Sequence, residues 1–172
     1  MPAGRSKCRL RYVDYYIMQE KIFLINSPDE TESLAYSIGQ RFHGGECIEL
    51  VSDLGGGKTT FTRGLVRGLG SFDSVSSPTF TIGKQYKTDS ITCYHFDFYR
   101  LLEPGLAIEE LAEALEDNQG VIVVEWAESV ASVLPEKRIV ILFENVADNS
   151  QSRKCIVKYP SDYHQIMELA SV

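Results

Sequence analysis

Between the apolar run Cys47-Ile48-Glu49-Leu50-Val51 and a helical pattern at Phe61, Leu65 and Leu69 lies Ser52-Asp53-Leu54-Gly55-Gly56-Gly57-Lys58-Thr59-Thr60. A strand, a glycine-rich turn and a helix in that order constrain the chain more than any other feature. Consecutive glycines let backbone N–H groups turn inward and approach a polyphosphate without side-chain clash, and the helix behind them aims the positive end of its dipole at the same point. The stretch approximates G-x-x-x-x-G-K-[ST], in which the lysine reaches the β- and γ-phosphates and the following hydroxyl serves Mg²⁺. Leu54, Gly55, Gly56, Gly57, Lys58, Thr59 and Thr60 are the candidate nucleotide-binding residues, ATP the candidate substrate, and Thr59 a candidate metal ligand. Ser52 departs from the pattern by standing at the first glycine position. An ordinary glycine-rich turn with a solvated lysine is the alternative, and the flanking strand and helix argue against it.

A chain of 172 residues that is 44% hydrophobic suits one domain with a substantial core, and no segment approaches membrane-spanning length. A formal charge of −7 argues against independent binding to a nucleic-acid backbone, which needs clustered Lys and Arg, so any RNA connection is expected through a partner. Cys8, Cys47, Cys93 and Cys155 are scattered, without a C-x-x-C pair, which fits reduced thiols in a cytoplasmic protein. Residues 1–17 carry Arg5, Lys7, Arg9 and Arg11 against Asp14 alone, with no continuing periodicity. They read as a basic extension from an overextended start; a transit peptide is the alternative, but the segment is short and poor in serine. Residues 18–172 read as a single domain.

Lys21 to Ile25 alternates as a strand, and Ser27-Pro28-Asp29-Glu30 supplies an N-cap, a first-turn proline and a capping-box glutamate for a helix with Leu34, Ile38 and Phe42 on its apolar face. Phe80 to Tyr86 and Ile91 to Tyr99 are predicted as a hairpin, Glu109 to Leu115 as a helix, and the β-branched run 121–124 as a strand buried on both faces. Ile139 to Phe143 and Cys155 to Tyr159 give two further strands, and Asp162 to Leu169 a closing helix. The expectation is an α/β, P-loop NTPase-like sandwich: a central, mostly parallel sheet flanked by helices, with an added antiparallel hairpin.

Glu125 ends the 121–124 strand, at the carboxyl edge where open α/β sheets bind ligands, and so reads as a Walker-B-like acid on Mg²⁺. A solvated strand-ending glutamate is the alternative. Asp97, within the aromatic run Tyr94-His95-Phe96-Asp97-Phe98-Tyr99-Arg100, is costly there unless paired, hydrated or near a metal. It either orients the attacking water, holds the metal's outer shell, or pairs with Arg100. His95 reads as structural, since no metal-ligand spacing involves it, and Trp126 as packing. Pro78 and Thr79 lie in a hydroxyl-rich loop that is either a γ-phosphate switch or a plain turn. Arg153 either covers the nucleotide or stands exposed.

Four ordered segments resemble the signatures of the TsaE (YjeE) ATPases: 53–64, Ser77-Pro78-Thr79-Phe80-Thr81, 94–101 and Val124-Glu125-Trp126-Ala127. The resemblance spans roughly Met18 to Tyr159. It implies a small ATPase that assists formation of N6-threonylcarbamoyladenosine in tRNAs reading A-starting codons. It also implies that the chain acts with TsaB and with TsaD, which transfers the group made by TsaC, and that hydrolysis resets the complex. On that resemblance Gly55 to Thr60 bind phosphates, Thr59 and Glu125 take Mg²⁺, Asp97 and Lys58 support hydrolysis, and Glu30 and Arg153 match nucleotide contacts more loosely. Ser52 and the seventeen-residue extension depart from the family's pattern. A small-molecule kinase and a non-catalytic, nucleotide-gated binding subunit are the competing functions.

Overall fold

The computed structural model describes residues 18–99, 105–146 and 149–172. The basic extension with Cys8, and Arg100, the alternative partner of Asp97, lie outside the described residues. In chain order the elements are β1 (Met18–Ile25), α1 (Pro28–Gly39), β2 (Cys47–Val51), α2 (Lys58–Gly68), β3 (Gly83–Lys87), β4 (Thr92–Asp97), α3 (Leu106–Glu116), β5 (Gly120–Glu125), β6 (Ile139–Val146), β7 (Asn149–Pro160) and α4 (His164–Leu169). One seven-stranded sheet runs in the order β1-β7-β6-β2-β5-β4-β3. Its centre, β6-β2-β5-β4, is parallel, and both margins are antiparallel.

Every residue of β5 is buried, as a strand covered on both faces requires. One face carries α1, α2 and α4, whose Leu34, Ile38, Phe61, Leu65 and Met167 pack on Ile48, Leu50, Val121, Val123 and Ile141. Leu111 and Ala114 of α3, with Ala127, Val130 and Leu134, cover Ile122, Val124 and Phe96 on the other. The expected N-cap starts α1, with the Ser27 hydroxyl accepting from Glu30 N at 3.2 Å, but Glu30 Oε2 reaches one residue past the N-cap of an ordinary capping box and accepts from Asn26 N at 2.7 Å. Cys47, Cys93 and Cys155 are free, and burial pushes each thiol up to about 12. Among the described residues no helix is long and apolar enough to cross a membrane.

Several boundaries differ from the sequence reading, and the largest shift is that of β7, which begins at Asn149 rather than Cys155. The first hairpin strand begins at Gly83 rather than Phe80, because the Pro78 carbonyl accepts from Thr81 N at 2.8 Å and Ile82 N at 2.7 Å, winding residues 78–82 into a turn. Ile82 leaves that turn at φ 65°, and Phe80 points outward. β1 begins three residues early, at Met18, because the long β7 offers it ladder partners as far as Pro160. At the carboxyl end, residues 161–163 form a 3-10 turn and only 164–169 are α-helical.

Candidate functional site

The loop after β2 is shaped by two left-handed glycines, Gly55 at φ 77° and Gly57 at φ 105°, and a Cβ on either would meet nothing within 4 Å. Both positions face open space at the N-terminus of α2, which Gly57 caps. From there a cleft of about 430 Å³ extends along the carboxyl edge of the sheet. It is lined by Leu54 to Thr60, Ser77, Thr79, Phe80, Asp97, Tyr99, Glu125 and Trp126.

β4 and β5 are parallel neighbours in a register that sets Asp97 opposite Glu125, so two carboxyl groups far apart in sequence end side by side. Both are nearly buried, at 4% and 3% exposure. Asp97 is held on both oxygens: Oδ2 accepts from Ser77 Oγ at 3.0 Å and Thr79 Oγ1 at 2.5 Å, and Oδ1 accepts from Tyr99 N at 3.0 Å. Glu125 Oε1 accepts from His95 Nε2 at 2.8 Å.

Facing these acids is the Lys58 ammonium, which donates to Ser52 Oγ at 3.0 Å and to the Ser52 and Asp53 carbonyls at 3.2 Å. It also lies 4.5 Å from the centre of the Trp126 ring. Burial pushes its pKa below the ordinary 10.5, while Glu125 and Asp97 pull it partly back.

The structure thus brings together Leu54 to Thr60, Thr79, Asp97 and Glu125. Pro78 is buried just behind Thr79 and does not line the cleft. Glu30 and Arg153 do not line it either; they gather at the end of β1, where Arg153 pairs with Ile25, Ser152 Oγ donates to Asn26 Oδ1 at 3.1 Å, and Glu30 holds Asn26 N. That corner is on the same carboxyl edge, beyond β6. Glu125 is no solvated strand end, since its side chain meets a fully buried histidine.

Sequence reasoning missed Trp126 and Tyr99 as cleft residues. Trp126 takes a left-handed φ of 57°, which turns its ring over Lys58 and against Tyr99, centroids 4.8 Å apart. The signals that could have found them were the adjacency of Trp126 to a strand-ending acid and the place of both residues in the segments 94–101 and 124–127.

A parallel-centred sheet, a glycine-turned loop after β2 and a helix N-terminus behind it define an α/β protein of the P-loop NTPase-like fold. Residues 25–155 match the model of the TsaE family, described as threonylcarbamoyl adenosine biosynthesis proteins, and the chain belongs to that family. It is similar to the tRNA threonylcarbamoyladenosine biosynthesis protein TsaE of Bacillus subtilis, 37% identical over 127 residues that cover 73% of this chain and 78% of the relative. The TsaE of Treponema pallidum is 35% identical over 125 residues, covering 73% of this chain and 92% of the relative. A crystal structure of Bacillus subtilis YdiB superposes with a TM-score of 0.73 at 31% identity, covering 89% of this chain and 95% of that one.

Proposed function

We propose that the chain hydrolyses ATP to ADP and phosphate with Mg²⁺, and that this hydrolysis serves N6-threonylcarbamoyladenosine formation through TsaB and TsaD. One observation carries the reading: the glycine loop and its lysine share a cleft with two buried carboxyl groups from neighbouring strand ends. The backbone N–H groups of Gly55 to Thr60 hold the phosphates, and Lys58 places its charge between the β- and γ-groups. Thr59 and Glu125 hold Mg²⁺; a hydroxyl and a carboxylate are the hard oxygen donors this ion takes. When held there, Mg²⁺ would supply neutralisation of the triphosphate's charge. Asp97, anchored by Ser77, Thr79 and the Tyr99 amide, orients the attacking water. Glu30 and Arg153, one corner away, contact the nucleotide beyond its phosphates. The net charge of −7 fits a protein that reaches tRNA through its partners rather than directly.

The test is phosphate release from ATP with and without a TsaB–TsaD pair, run beside a panel of nucleosides. Partner-stimulated release that Lys58→Ala abolishes and Glu125→Ala weakens is the expected result. A phosphorylated nucleoside formed without partners would instead make the protein a kinase. Background turnover, with ATP-dependent association that survives Asp97→Ala, would make it a nucleotide-gated binding subunit.

A further inference from the structure

His95 is wholly buried on β4, two residues before Asp97, on a strand in register with β5. Its Nε2 donates to Glu125 Oε1 at 2.8 Å, while its Nδ1 is the one buried side-chain nitrogen or oxygen among the described residues that lacks a partner. An unsatisfied buried nitrogen costs stability that a leucine or phenylalanine of similar reach would not, so packing alone gives no reason for an imidazole there. Its one polar contact is with an acid that lines the cleft. Among the described residues that contact is also the only hydrogen bond to the Glu125 carboxylate, and Glu125 lines the cleft.

We infer that His95 is a positioning residue for Glu125: by holding Oε1 from beneath, it fixes the side-chain rotamer and leaves Oε2 as the oxygen offered to a divalent cation. This rests on the metal role given to Glu125 above. A carboxylate free to rotate would present either oxygen, or both, and lose the fixed approach that a small octahedral ion demands. The Tyr86 ring, 6.3 Å away and tilted, closes the imidazole's side.

The experiment measures Mn²⁺ affinity of the full chain loaded with ADP, by electron paramagnetic resonance, for the parent, His95→Leu, His95→Gln and Glu125→Gln. ADP affinity in EDTA and a thermal melt are recorded for each. A side-chain amide at position 95 reaches about as far as Nε2 and keeps a donor, whereas leucine keeps only bulk. Loss of an outer hydrogen-bond partner of a metal ligand typically weakens the metal about 10- to 100-fold. His95→Leu is expected to show a loss in that range, His95→Gln to restore most of it, and metal-free ADP affinity to stay constant. Added to Glu125→Gln, His95→Leu should change Mn²⁺ affinity little further. Parent-like Mn²⁺ affinity in His95→Leu, with Glu125→Gln weakened, would overturn this inference and leave the metal role of Glu125 standing. So would an equal loss in the Leu and Gln variants, or an undiminished loss in the Glu125→Gln background. Parent-like affinity in Glu125→Gln itself would overturn the metal role and this inference together.

Discussion

Ser52 takes up the room beside Gly56: a Cβ on Gly56 would lie 2.5 Å from Ser52 Oγ and 2.6 Å from Ser52 Cβ. Gly56 does not have a left-handed φ, so the obstacle to a side chain there is steric alone. Gly56→Ala should cost about 1–3 kcal/mol as an overpacked position. A Ser52→Gly background removes the two nearest atoms and leaves the Asp53 carbonyl, at 3.0 Å, as the next, so a urea-unfolding cycle should give a coupling above about 0.5 kcal/mol. Additive values would show that the loop relaxes independently of Ser52. Lys58 carries a second expectation. Burial depresses its pKa below 10.5, so between the depressed value and 10.5 the unfolded chain binds more protons than the native one, and stability rises with pH. Below that window the penalty is fully present. Lys58→Met keeps most of the stem without the charge; it should melt higher than the parent at neutral pH, lose the alkaline rise, and no longer bind MgATP. Unchanged melting curves across that range would refute the buried-charge account. The acids and the lysine were legible because each stands at a position with chemical meaning: Lys58 after a glycine run, Glu125 at a strand's end, and Asp97 as a costly carboxylate within an aromatic run. His95 and Trp126 were not, since one acquires its role from a residue thirty positions away and the other from a left-handed backbone turn.

Helices α1 and α2 meet through glycines. A Cβ on Gly64 would lie 2.3 Å from the Glu32 carbonyl oxygen, one on Gly68 2.4 Å from that of Tyr36, and one on Gly39 2.5 Å from that of Leu65. Intrinsic propensity alone would make alanine about 1 kcal/mol better than glycine inside a helix. The backbone contact outweighs it, and Gly64→Ala should instead destabilise by about 1–3 kcal/mol. Because α2 begins at Lys58, a helix pushed away from α1 also shifts the loop, and ATP affinity should fall together with the melting temperature. A more stable variant would show that the helices separate without strain. The same elements mark how far pattern reading goes. Ser27-Pro28-Asp29-Glu30 carries its capping chemistry locally, and the start of α1 followed from it. Residues 80–82 do not: Phe80 and Ile82 alternate as a strand would, yet the bonds to the Pro78 carbonyl bend them into a turn, leaving Phe80 87% exposed beside the cleft.

Across the whole molecule, alternating strands and helices announced an α/β sheet, but strand order depends on pairings distant in sequence. Nothing local in β6 and β7 says that they and β1 close one margin antiparallel, or that β2 lies between β5 and β6. That order matters because it sets the carboxyl ends of β2, β4 and β5 around one cleft and the Glu30–Arg153 corner along the same edge. Charge acts at this scale too. With a net charge of −7, the chain lacks the excess of cations that counterion release from a tRNA backbone requires. Two of the described cations nearest the loop are also engaged: Lys58 with Ser52 and Asp53, and Arg63 with Glu32 at 2.8 Å. The protein alone should therefore show no measurable tRNA affinity by fluorescence anisotropy between about 50 and 200 mM salt. With TsaB and TsaD present, labelled tRNA should be bound, and the chain should join that complex in an ATP-dependent way. Tight retention of tRNA by the isolated chain, weakening steeply with salt, would mean that the chain contacts the RNA directly, and that the partners are not its only route to the substrate.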